Sequence, residues 1–182
     1  MKYSKISLQC AVIFMVLAAM CSAALAKIEI KFTPSRECEN KIVRLIDGAK
    51  STIDVAVYSI NNKQIIDALL RADMRGVKIR ILTDRLQAAG KASKVKYLHN
   101  QGINIRVHSK NKIEHNKFAV FDANKATTGS YNWTNPASEK NSENCVFFIR
   151  NKEAVQSYQT HFDYLWRINT KQKSEEWFAK QK

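Results

Sequence analysis

An α/β fold, with a mixed β-sheet flanked by helices on both faces, is predicted from three features of this chain. Short apolar, β-prone runs alternate with amphipathic stretches of helical period along most of its length. Gly76 and Gly102 each stand where a helix must end just ahead of a strand. The 182 residues suit one domain and contain no internal repeat.

The elements follow from these patterns in chain order. Strands are expected near residues 27–32, 52–59, 77–83, 103–107, 115–121, 125–129 and 144–149. Helices are expected near 35–49, 62–75, 91–100 and 151–168. Ser35 suits the cap of the first helix, and Glu37 and Glu39 favour its electropositive opening turn. The folded domain is expected over residues 27–168. Residues 169–182 read as a frayed basic tail, in which Trp177 and Phe178 suit a surface or partner contact.

The first 26 residues read as a signal peptide. Lys2 and Lys5 precede an apolar run from Ile6 to about Met20, and Ala24-Leu25-Ala26 offers a cleavage site before Lys27. Cleavage after Ala26 implies a secreted or periplasmic protein. An uncleaved anchor is the main alternative, because the run approaches the roughly 20 residues that span a bilayer. A lipoprotein cut ahead of Cys21 fits less well, with Met20 preceding the cysteine. Removal of the segment takes Cys10 and Cys21 and leaves Cys38 and Cys145. An oxidising compartment permits a disulfide between those two; two buried thiols are the other reading, and the sequence leaves both open.

Thirty basic residues against 16 acidic give a net charge of +14, or +12 once Lys2 and Lys5 are lost with the signal. Such a balance attracts polyanions, predicting salt-sensitive binding to DNA, RNA or anionic membrane surfaces. The basic residues concentrate at Arg75, Lys78, Arg80 and Arg85, at Lys91, Lys94 and Lys96, and at Arg106, Lys110 and Lys112. Many such groups simply solvate a surface.

The chemistry-bearing segment is IEHNKFAVFDANKATTGSYNWT, beginning at Ile113. Within it His115, Lys117 and Asp122 are spaced H-x-K-x4-D, and Gly129, Ser130 and Asn132 follow as G-S-x-N. On a strand His115 and Lys117 share one face at roughly 7 Å. The Asp-Ala-Asn turn then reverses the chain, and KATTG delivers Ser130 and Asn132 toward the same end of the sheet. A nucleophile or base, a cation, a hydroxyl and a carboxamide suit the anionic oxygens of a phosphodiester. Asp122 falls on the opposite strand face from His115, which favours a turn-capping role.

This pattern resembles the signature of the phospholipase D superfamily, in particular its small bacterial branch with one motif per chain. That branch contains secreted metal-independent nucleases and relatives called phospholipase D. The resemblance extends to KIEIKFTPS, STIDVAVYSI, ALLRADMRGVKIRILTD and KNSENCVFFIR, covering about residues 27–168. Larger family members build one active site from two motifs. A single motif therefore implies a homodimer with one shared site on a two-fold axis. The implied chemistry is covalent: one His115 forms a phosphohistidine, and the His115 of the other copy acts as general acid and then as general base. Lys117, Ser130 and Asn132 would hold the phosphoryl oxygens, and Glu143 of KNSEN would orient the His115 ring. No cofactor and no metal are implied. The chain agrees, with no carboxylate cluster of two-metal type, no CxxC and no His-rich tract.

Other residues are weighed beside this set. Lys91 and Lys94 in LQAAGKASK lie where the branch has a basic loop at the mouth of the site, making them candidate nucleic-acid contacts. His108 and Lys110 repeat H-x-K without the rest of the motif and read as a basic rim. His99 and His161 read as structural. Tyr131 and Trp133 suit either stacking on substrate or core packing. The expected function is a secreted nuclease acting on DNA or RNA. The alternatives are a phospholipase D acting on phosphatidylcholine-type lipids and an inactive nucleic-acid-binding protein.

Overall fold

The computed structural model of the chain describes residues 25–181. Residues 1–24 of the expected signal peptide lie outside the described residues. No helix among the described residues is long and apolar enough to cross a membrane.

Seven strands form one sheet: β1 (Lys27–Phe32), β2 (Thr52–Val57), β3 (Lys78–Thr83), β4 (Asn104–Val107), β5 (Lys117–Phe121), β6 (Lys125–Gly129) and β7 (Asn144–Ile149). Their order is β1-β7-β6-β5-β2-β3-β4. β2, β3 and β4 run parallel, while β2–β5, β5–β6, β6–β7 and β7–β1 are antiparallel. The central position of β2 and β5 follows from their sequences, TIDVAV and KFAVF, which are buried almost throughout.

Alternation along these strands divides the core in two. Ile53, Val55 and Val57 of β2 and Ala119 and Phe121 of β5 belong to the larger cluster. That cluster includes Ile42 and Ile46 of α1 (Glu37–Gly48) and Ile65 and Leu69 of α2 (Lys63–Met74). The intervening Ala56 and Phe118 meet Phe162, Leu165 and Trp166 of the long helix Lys152–Ile168 on the other face. Each fully buried Ile or Phe adds about 1.5–3 kcal/mol relative to exposure. A disulfide between Cys38 and Cys145 ties α1 to β7, resolving the alternative that the sequence leaves open.

The remaining helices are α3 (Arg85–Ala89), α4 (Val95–Asn100), α5 (Asn135–Glu139), α6 (Lys152–Ile168) and α7 (Lys171–Ala179). Several differ from expectation for local reasons. Ser35 does not cap α1: its hydroxyl donates to Phe32 O and accepts from Glu37 N, closing the strand-to-helix turn, while Arg36 occupies the cap position. The helix expected over 91–100 is shorter, Val95–Asn100, and a further short helix that was not expected, Arg85–Ala89, precedes it. Asp84 caps α3, and an extended Gly90 breaks the chain before α4. α5 has no apolar period to announce it; Thr134 accepts from Ala137 N to start it, with Pro136 in its first turn.

The frayed tail expected over 169–182 is instead an ordered helix, α7, over most of that span. Thr170 caps it, the Ser174 hydroxyl accepts from Val107 N at the open edge of β4, and Phe178 joins the main core. Tertiary packing, and not helical propensity, orders this segment.

Candidate active site

The C-terminal end of β2 and the start of β5 meet at one edge of the sheet, where Val57 pairs with Lys117 and Tyr58 N donates to Asn116 O at 2.9 Å. The strand expected from 115 begins only at Lys117, so His115 projects from an extended segment just ahead of β5. His115 is exposed, whereas Lys117 is mostly buried. The Lys117 ammonium donates to the carbonyl oxygen of His115 at 2.7 Å, placing the cation directly beside the imidazole-bearing residue.

Tyr58 holds both. Its ring meets the His115 ring edge-on at 4.7 Å between centroids, and the Lys117 ammonium lies 5.0 Å from its centre. Gln87 of α3 donates to the Tyr58 hydroxyl at 2.9 Å and fixes the ring in turn. Burial pushes the Lys117 ammonium below its ordinary pKa, while the negative charges of Glu143 and Glu114 oppose that fall.

Across the sheet edge, β6 leads into Ser130 and Asn132. Gly129 is required by geometry: its φ is +142°, and a Cβ there would lie 2.2 Å from Asn144 O. This close approach lets Ser130 N donate to Asn144 O at 3.1 Å and Asn144 N donate to Ser130 Oγ at 3.1 Å. Ser130 thus clamps β6 to β7 while its own hydroxyl proton stays available. Asn132 is different: its buried Oδ1 has no hydrogen-bond partner among the described residues, and its Nδ2 amide, the group that can donate to an anionic oxygen, makes no hydrogen bond there either. A carboxamide without a protein partner at this edge can serve a bound group.

The other residues singled out from sequence divide. Glu143 accepts from the Asn141 side chain at 2.9 Å; its influence reaches Lys117, but His115 is not among its hydrogen-bond partners within this chain. Asp122 sits past the far end of β5. It accepts from Lys50, Ser51 and Thr52 N–H groups at 2.8–3.1 Å and from the Ser51 hydroxyl at 2.9 Å. Burial alone would raise its carboxyl, but these bonds outweigh that and hold it below the usual carboxylate range.

Lys91 lies exposed between α3 and α4. Lys94 lines a groove of about 420 Å3 with Asn61, Lys63, Ile66, Asp67, Tyr97 and Asn135. The wall of that groove continues from the site, since Trp133 O accepts from Asn61 N and Asn62 N, and Lys94 N donates to Ile60 O. His108 is buried and forms no rim, because the chain folds it beneath the exposed segment 109–113. Tyr131 and Trp133 also point inward. The Tyr131 hydroxyl bonds Ser138, whose hydroxyl donates to Glu39, and burial pushes that phenol up to about 12. His99 stacks on Phe178 and meets Glu175; His161 is exposed beside Tyr164.

Tyr58, Gln87 and Glu114 are the residues that sequence reasoning missed. Tyr58 had a signal, since functional groups in sheets covered by helices gather at the C-terminal ends of strands. Gln87 and Glu114 had none. No group of three or more His, Cys, Asp or Glu among the described residues could hold a metal ion.

Comparison with known proteins places this geometry. The family model described as cardiolipin synthase, PLD-like domain, matches residues 42–166. A phospholipase D of Rickettsia felis is 38% identical over 133 residues, covering 73% of this chain and 66% of that protein. A mitochondrial cardiolipin hydrolase of Chlamydomonas reinhardtii is 32% identical over 127 residues, covering 70% of this chain and 56% of that one. The chain therefore spans somewhat under two thirds of the length of these relatives. The crystal structure of Nuc, a phospholipase D family member from Salmonella typhimurium, superposes with a TM-score of 0.76 at 30% identity. That match covers 80% of this chain and 97% of Nuc. With the motif residues at one sheet edge, this fold and these matches, the chain belongs to the phospholipase D superfamily.

Proposed function

We propose that this chain is a metal-independent phosphodiesterase that cleaves nucleic acid through a covalent intermediate on His115, two copies sharing one site. The observation that carries the reading is the combination of an exposed His115, a Lys117 ammonium 2.7 Å from the His115 carbonyl, and an Asn132 carboxamide whose Nδ2 donor is left uncommitted among the described residues. A ring nitrogen of His115 attacks phosphorus and the bond to the leaving strand breaks. The departing oxygen takes a proton from the His115 of the second copy. That histidine then removes a proton from water, which attacks phosphorus and frees the first histidine. Lys117 and Asn132 stabilise the charge gathered on the phosphoryl oxygens.

One chain carries one such histidine and so supplies one of the two roles, which is why the second copy enters the proposal. Secretion or export to the periplasm belongs to the same reading, resting on the N-terminal sequence.

Nucleic acid is favoured by the groove beside the site, where Lys94 stands with a Tyr97 ring that is 46% exposed, while Lys63 there is paired with Asp67. Cations that follow a phosphate backbone and an aromatic face that stacks on bases are how single strands are held. A specific observation favours the second reading, phospholipid. Ile28, Ile30 and Phe32 of β1 form an exposed apolar stripe that ends beside Asn144, and the relatives include proteins called phospholipase D and cardiolipin hydrolase.

Purified protein incubated in parallel with plasmid DNA, single-stranded oligonucleotides, and phosphatidylcholine or cardiolipin vesicles, each with excess chelator, separates these readings. Chelator-resistant strand cleavage is expected. Release of lipid headgroups with nucleic acids left intact would select the phospholipid reading, and rescue only by divalent ions would reject the mechanism.

A further inference from the structure

Glu114 takes no part in the chemistry above, yet it is 2% exposed within a segment where residues 109–113 and His115 are all exposed. Its Oε1 accepts from Asn116 N at 3.1 Å and from the Asn116 side chain at 2.7 Å. Its own N–H donates to Asp84 Oδ2 at 3.1 Å, while Asp84 Oδ1 is held by the N–H groups of Leu86 and Gln87. Asn116 O in turn accepts from Tyr58 N. The residues on either side of His115 are therefore both fastened, and Glu114 supplies a bond on each side.

The surroundings of the carboxylate are equally specific. His108, 3% exposed, has its Nε2 3.8 Å from Glu114 Oε2, too far for a hydrogen bond, and that nitrogen has no partner among the described residues. Asp84 is a second buried carboxylate at the other side. Besides His108, which carries a charge only when protonated, the cation nearby is Lys117: its ammonium sits on the carbonyl oxygen of the residue that follows Glu114, and Glu143 also serves it. A buried negative charge is costly unless a positive charge answers it, and here the answering charge is the one that the reaction needs.

We propose that Glu114 is a positioning residue for phosphoryl transfer: it fixes the backbone on both sides of His115 and sets a buried negative charge against Lys117. The proposal rests on the reading of His115 and Lys117 as the phosphoryl-transfer pair. Anchoring the His115 segment alone would need hydrogen bonds but no charge, so the two contributions separate by substitution. Glu114→Gln keeps an acceptor of nearly the same shape for Asn116 and removes the charge. Glu114→Ala removes both.

The test uses the full dimer-competent chain and bis(p-nitrophenyl) phosphate, a small diester indifferent to the choice between nucleic acid and lipid. Two readouts are taken for each folded variant: kcat and KM across pH, and the titration of the Lys117 side chain followed by NMR, with Lys117→Met supplying the assignment. Glu114→Gln is expected to lower kcat by roughly tenfold with little change in melting temperature. The alkaline limb of kcat/KM and the Lys117 titration should both move to lower pH. Glu114→Ala is expected to lose roughly a hundredfold, since a misplaced nucleophile adds to the lost charge. An unshifted Lys117 titration in Glu114→Gln overturns the proposal, whether or not the protein is active. A wild-type protein inert toward every diester overturns the phosphodiesterase reading instead, and the NMR titration then still decides whether Glu114 sets its charge against Lys117.

Discussion

At the first residue of β5 the Lys117 ammonium makes one bond, to His115 O, and stands beside an exposed imidazole. Just past the last residue of the same strand, the Asp122 carboxylate accepts from three successive N–H groups and a hydroxyl. Four strand residues lie between Lys117 and Asp122, and the five residue steps span roughly 16 Å, too far for Asp122 to touch a phosphate held by His115. One contiguous sequence motif thus serves two purposes. Its first half leaves polar groups uncommitted at the sheet edge; its second half commits a carboxylate fully, joining the β5–β6 turn to the start of β2. Proximity within a motif does not imply a shared chemical task, and the hydrogen-bond inventory at each end tells the two apart.

The comparison is broken most severely at His115. His115→Asn keeps volume and polarity but can neither bond covalently to phosphorus nor transfer a proton. Activity should fall by about 10⁴-fold or more while the melting temperature stays within a few degrees, because the ring is exposed. Calorimetry beside a diester assay checks this, and a near-normal rate in the folded variant would remove His115 from the reaction.

Replacing both Cys38 and Cys145 by Ser tests whether the scaffold acts apart from the site. The bond closes a loop with a sequence separation of 107, and its loss should cost about 2–4 kcal/mol in denaturant unfolding. Activity per folded molecule should be preserved, since neither cysteine contributes a polar group to the site, even though Cys145 pairs with Gly129 next to Ser130.

Asp122→Ala is the direct counterpart of the His115 variant. Its expected effect is on stability, about 1–3 kcal/mol, with kcat of the folded protein unchanged. Acid sharpens the test. The bonds to Lys50, Ser51 and Thr52 hold the folded Asp122 carboxyl below its ordinary value of 3.8, so the unfolded chain binds the proton more readily. Its stabilisation is therefore complete above that value and is lost as pH falls through the lower folded value. Wild type and Asp122→Asn should differ in stability at neutral pH and converge in strong acid; a constant difference across the range would contradict this assignment.

The smallest effect is expected at the groove. Lys94→Ala combined with Tyr97→Ala should raise KM for a single-stranded oligonucleotide by roughly three- to tenfold, with the effect fading at high salt. Hydrolysis of a small diester should not change. Equal KM values for the oligonucleotide would remove the groove from substrate binding.

Much of this was legible before the structure. The apolar period of STIDVAVYSI and KFAVF marks central strands, and the spacing of His115, Lys117, Ser130 and Asn132 brings them to one edge because strand alternation and a tight turn permit few other outcomes. What was not legible depends on contacts distant in sequence. The tail became a helix because Ser174 and Phe178 find partners 67 to 79 residues earlier, at Val107 and His99. Arg80 and Arg106, which belong to the basic clusters of the sequence, are structural: Arg80 pairs bidentately with Asp54, and Arg106 lies over Trp166 and bonds Asn169 O. Composition counts charges, but only the fold says which are already answered. His108 shows the same limit, since H-x-K carries no information about burial.

The proposed mechanism bonds His115 covalently to phosphorus. Acid-free quenching of turnover on an end-labelled oligonucleotide, followed by peptide mapping with mass spectrometry, measures it directly. A nucleotidyl adduct is expected on His115, labile in acid and stable in alkali, and absent from His115→Asn. Rapid turnover with the adduct on Ser130, or with no adduct under conditions that trap phosphoramidates, would contradict it.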